Sequence, residues 1–252
     1  MSSRDEIVNF CDQLLEAGSF EDYGPNGLQV PGSDEVLRLA TGVSANRDFI
    51  EAAIEGGAQL AIVHHGLFWD SDPRALSEQA AERLRLLLTA DLSLAAYHLP
   101  LDAHREIGNN ALLCEGLGFE PQGSFSEFRG REIGVIGLSA DGMEPPELRS
   151  RVTELVGREP LMFDSGPGRV RSIGIVSGGA SGQIRDAIAL GLDAYLTGEP
   201  SEPAMADARE GKIHFIAAGH YATETFGVRR LGDLVAERFE VEHRFVDVPN
   251  PI

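Results

Sequence analysis

The chain has 252 residues, enough to bury a core in one large domain or two smaller ones, and its 42% hydrophobic content is ordinary for a globular protein. A formal net charge of −19 argues against a binder of nucleic-acid backbones, which needs a basic patch, and no apolar run approaches the roughly 18 residues of a membrane span. No hydrophobic signal region opens the chain, so a cytoplasmic protein is expected. Cys11 and Cys114, with no CxxC pair, read as buried reduced thiols rather than metal ligands.

Residues 4–17 place Ile7, Phe10, Cys11, Leu14 and Leu15 at helical spacing. Residues 22–27, Asp-Tyr-Gly-Pro-Asn-Gly, are turn chemistry, and 28–30 resume as a short strand. A strand is predicted over 36–43, then a helix over 48–55 capped by Ser44 or Asn46 and ended by Gly56-Gly57. The apolar strand 59–63 leads into His64-His65-Gly66. Two histidines in succession can aim at one place only where a strand ends, and Gly66 supplies a permissive backbone for that turn.

A helix over 77–90 with Ser77 as N-cap, a strand over 92–97 and a helix over 106–117 follow. The pattern loosens over 121–131, the best candidate for a domain boundary. Beyond it come a strand at 132–138, a helix at 145–156 begun by proline, and a break at 164–168. Strands at 172–176, 194–197 and 213–217 alternate with helices at 183–190 and 202–209. A long helix over 222–239, a strand at 241–246 and a proline-containing tail complete the chain.

This alternation predicts an α/β layer structure. A faint internal repeat aligns residues 41–66 with 173–199, strand–helix–strand each time, and suggests two related lobes with the metal site in the cleft between them. Ligands early and late in the chain can meet only if its end returns to the first lobe. We therefore expect one metal-binding lobe from 1–125 plus 214–252 and a second lobe from 126–213.

Three segments carry chemistry: His64-His65, His98 to Asp102, and His220 to Glu224. His220 and Glu224 lie four apart at a helix start and share a face. Three imidazoles, His64, His65 and His220, with the carboxylates of Asp102 and Glu224, form the ligand set of a dinuclear site. A nitrogen and oxygen donor set favours Zn, Mn, Fe, Co or Ni over Ca or Mg. Two such ions about 3.5–4 Å apart share a water and lower its pKa.

His98, four residues before Asp102, sits where a proton-transfer group would sit. His104 reads as a solvated helix start, while His214 and His243 lie inside strands and read as structural. Glu199, at the mirrored strand end, is a candidate lining residue. The stretch 177–182 has the composition of an anion-binding loop but no P-loop lysine follows, so a simple turn is the reading.

Six stretches, among them Pro25-Asn26-Gly27-Leu28-Gln29-Val30, His64-His65-Gly66-Leu67-Phe68-Trp69 and Tyr97-His98-Leu99-Pro100-Leu101-Asp102-Ala103-His104, occur in order along nearly the whole chain. The others are Gly108-Asn109-Asn110, Thr197-Gly198-Glu199 and Gly219-His220-Tyr221-Ala222-Thr223-Glu224. With them the chain resembles the NIF-three-like dinuclear metal proteins, also named GTP cyclohydrolase type 2 homologues. The resemblance implies two divalent transition-metal ions on His64, His65, Asp102, His220 and Glu224, two α/β lobes and a ring-shaped homohexamer with its metal sites facing an internal cavity. The expected function is a dinuclear metal-dependent hydrolase acting on a small molecule, GTP in the family's version, with His98 as the catalytic residue. The alternative is a non-catalytic metal-binding or interaction protein.

Overall fold

In the computed structural model, which describes residues 2–252, the apolar run Leu60 to Val63 is fully buried within the strand Leu60–His65. A parallel strand covered on both faces reads as a continuous hydrophobic run, which is why no alternation marks it. Inter-residue contacts divide the chain into two compact units, Met1–Leu101 with Gly227–Pro249, and Asp102–Phe226 with Asn250–Ile252.

The first unit holds a five-stranded sheet in the order Glu242–Phe245, Arg38–Ser44, Leu60–His65, Ser93–Ala96 and Gly27–Val30. The first four strands are parallel and the last is antiparallel. Ser44 pairs with His65, and Val63 with Ala96. Ser44, His65 and the residues after Ala96 therefore emerge at one carboxyl end of the sheet, where open α/β sheets place their functional loops.

Asn46, not Ser44, caps the helix Arg47–Glu55, its side chain accepting from Phe49 N at 2.9 Å. A cap of this kind is worth about 1 kcal/mol, and it leaves the Ser44 hydroxyl for another partner. Ser77 caps the helix Glu78–Thr89 as predicted.

The second unit is built on a six-stranded sheet in the order Glu120–Phe128, Arg131–Met143, Val170–Ile175, Ala194–Thr197, His214–Ala217 and Leu161–Phe163. The middle pairs, 170–175 with 194–197 and 194–197 with 214–217, are parallel; the others are antiparallel. The helix Pro145–Val156 begins at proline and ends at Gly157, whose φ is +71°.

Three local expectations are corrected. The loosened stretch 121–131 is mostly the first strand of a hairpin, turned at Arg129-Gly130 and paired with Arg131–Met143. Its outer strand is largely exposed, so backbone pairing rather than an apolar pattern holds it. The helix expected over 222–239 is two, His220–Thr223 and Thr225–Phe239, with a break at Glu224. The helix expected over 183–190 is present as Ile184–Ala189, preceded by a 3-10 turn at Ser181–Gln183. Gly66 has no positive φ; its missing Cβ instead leaves room for the end of the Gln29 side chain, whose Oε1 accepts from Leu67 N.

Cys11 and Cys114 are fully buried. Burial first, then neighbouring Glu115, pushes the Cys114 thiol up to about 12. Among the described residues no helix is long and apolar enough to cross a membrane.

Candidate metal centre

In the first unit, His64, His65 and His98 each offer a ligand atom within 4.8 Å of the others. Their strands run parallel, and that shared direction brings the three rings together. His64 is fully buried. Its Nδ1–H donates to the Tyr97 carbonyl at 3.0 Å, while His65 Nδ1 meets the Ser44 hydroxyl at 3.2 Å. His98 Nδ1–H donates to Asp22 Oδ1 at 2.7 Å.

The turn at 22–27 supplies that acceptor. Asp22 is buried and takes Tyr23 N at 2.7 Å on Oδ1, with Leu99 N and Asn26 Nδ2 on Oδ2 at 2.9 Å each. Asn26 Oδ1 in turn accepts from His98 N at 2.9 Å. Burial works against ionising Asp22, but the hydrogen bond and charge of His98 outweigh it and hold the carboxyl below its ordinary range. Trp69 stands edge-on to His98 at 5.3 Å between centroids.

In the second unit, Asp102 is buried, and its Oδ1 accepts from Asn109 Nδ2 at 2.8 Å and Ser177 Oγ at 2.9 Å. Asn110 ties the same loop down, accepting from Ser177 N at 2.7 Å and donating to the Ile133 carbonyl. Glu224 is buried and sits at the break between its two helices, 3.1 Å from His220 Nε2 through Oε1. Glu199 holds the opposite nitrogen, accepting from His220 Nδ1–H.

Gly178 lies against this pair with φ at +64°, and a Cβ there would run into Glu224 Oε1 and lie 3.2 Å from His220 Nε2. The 177–182 stretch is thus a cradle for the pair rather than an anion loop. Its amides at Ser177, Gly178 and Ala180 go to Asn110, Thr223 and Thr197.

The remaining histidines have local duties. His104 Nδ1 accepts from the amides of Glu106 and Ile107. His214 is fully buried, bonded to the Pro167 carbonyl at 2.8 Å and to Asp164 at 2.9 Å. His243 bridges Thr41 and Asp233 across the room left by Gly232.

Both groups pass a test of donor chemistry. Imidazole nitrogen and carboxylate oxygen are the ligands of divalent transition metals, and buried Glu224 with half-buried His220 is held against Gly178, where a Cβ would run into Glu224. Asp22, Ser44, Asn109, Asn110 and Ser177 were not singled out in the sequence for what they do to these donors. The Gly108-Asn109-Asn110 stretch and the dense turn at 22–27 were the signals available.

Burial disfavours a charged His220, but the bonds and charges of Glu224 and Glu199 prevail and raise its pKa from 6.5 to about 9. This raised value stabilises the metal-free fold fully below about 6.5, and the contribution is lost as pH rises through about 9. A metal at Nε2 must displace that proton. At pH 7 metal uptake should therefore release about one proton from His220, and affinity should climb with pH until about 9. Calorimetric titration in buffers of different ionisation enthalpy measures the count, and a value near zero at pH 7 refutes the assignment.

A family model described as Duf34/NIF3 (NGG1p interacting factor 3) matches residues 2–251. A protein of Pseudomonas aeruginosa named "GTP cyclohydrolase 1 type 2 homolog" is 46% identical over 245 residues, covering 97% of each chain. Among solved structures, the protein ybgI, described as of unknown function, superposes with a TM-score of 0.94 at 37% identity over 100% of both chains. TTHA1606 from Thermus thermophilus gives 0.86 at 32% identity, also over 100% of both chains.

Proposed function

The chain belongs to the Duf34/NIF3 family, and from that premise we propose that it is a dinuclear metal-dependent hydrolase with His64, His65, Asp102, His220 and Glu224 as ligands. The observation that carries this reading is a shared orientation of imidazoles. Nδ1 of His64, His65, His98 and His220 each meets an oxygen of the protein, which supports Nε2 as the nitrogen that would face a metal. Bound there, a divalent transition metal supplies Lewis-acid activation of a water. Asn109 and Ser177 both hold Asp102 Oδ1 and so fix the plane of that carboxylate. His98 keeps one proton on Nδ1 against Asp22, leaving Nε2 to take or return a proton during hydrolysis.

The name carried by the relatives makes GTP the first substrate to assay, followed by phosphoesters and peptides. The hexameric ring implied by the resemblance belongs to the same proposal and is checked by light scattering.

A second reading has its own observation: His98 stands within ligand distance of His64 and His65. As a third imidazole ligand it would close the site, as structural sites are closed, and the protein would bind metal without catalysis. His98→Asn separates the two. In the hydrolase, metal content and oligomer size stay unchanged while turnover falls about 10²–10⁴-fold. Metal lost with His98, or no turnover by the native protein on any of these substrates, favours the binding reading.

A further inference from the structure

We propose that Glu199 is the positioning residue that prepares His220 to bind metal, an inference that rests on the metal-binding reading above and adds a residue outside the ligand set. His220 stands between two carboxylates, one at each ring nitrogen. Glu224 lies at Nε2 and its side chain is only 3% exposed; Glu199 lies at Nδ1 and is 39% exposed. The two nitrogens of an imidazole diverge, so a metal at Nε2 lies on the far side of the ring from Glu199. Glu199 therefore acts on such a metal through the ring.

The backbone fixes Glu199 in this place. Thr197 pairs with Ala217 in neighbouring parallel strands, so both strands end together, and Glu199 and His220 follow two and three residues later. The amides of Gly198 and Glu199 both donate to the Gly178 carbonyl, at 2.9 and 3.1 Å, and Gly219 N donates to the Gly198 carbonyl at 2.9 Å. The carboxylate is thus carried by the same main-chain clamp that carries the His220 turn and the Gly178 cradle.

Its charge sets it apart from the Nδ1 partners of the other ligands. His64 is held by a carbonyl and His65 by a hydroxyl, whereas His220 alone among the proposed ligand histidines is held by a carboxylate. A carboxylate behind the ring fixes the tautomer with its proton on Nδ1 and makes Nε2 a stronger donor. Removing such a partner typically weakens metal binding by about 10–100-fold. A purely structural tie between the two loops would instead show itself in stability.

Zinc affinity by competition with a chromophoric chelator, together with thermal midpoints of the metal-free proteins, distinguishes these cases for Glu199→Ala, Glu199→Gln and His220→Ala. Glu199→Ala should bind about 10–100-fold more weakly. Glu199→Gln keeps an acceptor of similar shape without the charge and should fall between it and the native protein. In the zinc-loaded protein, the Nδ1–H resonance of His220 should move upfield in Glu199→Gln and broaden by exchange in Glu199→Ala. Zinc affinity unaltered by His220→Ala overturns the metal reading itself. Affinity lost in His220→Ala but native in both Glu199 variants overturns only the role of Glu199, as does a lowered midpoint with native affinity and an unmoved resonance. Should Glu199→Ala fail to fold, the near-isosteric Glu199→Gln decides through its affinity and resonance.

Discussion

Native protein saturated with zinc or manganese is expected to hold about two ions per chain, and the double variant His64→Ala/Glu224→Ala close to none. One donor is taken from each histidine-bearing group. His64 is fully buried with its ring held by the Tyr97 carbonyl, and Glu224 is 2% exposed against His220. Structural zinc in zinc-finger peptides binds with apparent free energies of about 10–16 kcal/mol shared among its ligands, so losing two of the five proposed donors should lower affinity by many orders of magnitude. Elemental analysis after dialysis against a mild chelator reads the outcome. A circular dichroism spectrum and light scattering on the same sample show whether the variant has kept its fold. Full occupancy in a folded double variant would place the ligands elsewhere.

Gly198→Ala should also be damaging although it removes no functional group. A Cβ at Gly198 would sit 2.6 Å from His220 Cα, 2.7 Å from the Gly178 carbonyl oxygen and 2.9 Å from His220 N. All three are main-chain atoms, which cannot rotate aside as a side chain would. The same clamp holds the Gly178 cradle, so relieving the clash must shift the His220 turn, the cradle or both. Overpacking of this kind costs about 1–3 kcal/mol, occasionally more. At roughly 2–4 °C per kcal/mol for a chain of this size, the midpoint should fall by several degrees or more. Metal affinity should drop alongside, because ligand geometry tolerates little displacement. Gly182→Ala is the control: nothing lies within 4 Å of a Cβ there, and its backbone is not in the left-handed region. If the two variants share one thermal midpoint and one zinc affinity, the clamp has no role.

Local order was legible in the sequence because its causes are local. Leu60 to Val63 is a strand because four successive apolar residues suit burial on both faces, and Ser77 and Pro145 mark helix starts through their own chemistry. The histidines and carboxylates of the candidate centre were legible too, as uncommon residues at strand ends and helix starts. The hairpin Glu120–Phe128 with Arg131–Met143 was not, because cross-strand pairing rewards a partner elsewhere in the chain and leaves an exposed strand without an apolar pattern. The break at Glu224 was not legible because Thr223, Thr225 and Gly227 only lower helix propensity there, and no proline marks an end.

The supporting residues were the least legible of all. Ser44 and Asn46 were equal candidates for one helix cap, and only the pairing of Ser44 with His65 decides between them. Asp22 is a turn residue until the chain returns 76 residues later and sets His98 beside it. Glu199 is an ordinary strand-end carboxylate until parallel pairing of Thr197 with Ala217 brings His220 to it. A side chain's chemistry is written at its own position, so candidate donors can be proposed from the sequence. Which nitrogen of each imidazole takes a metal depends on the atom at the other nitrogen, and only folding brings that atom from a distant part of the chain.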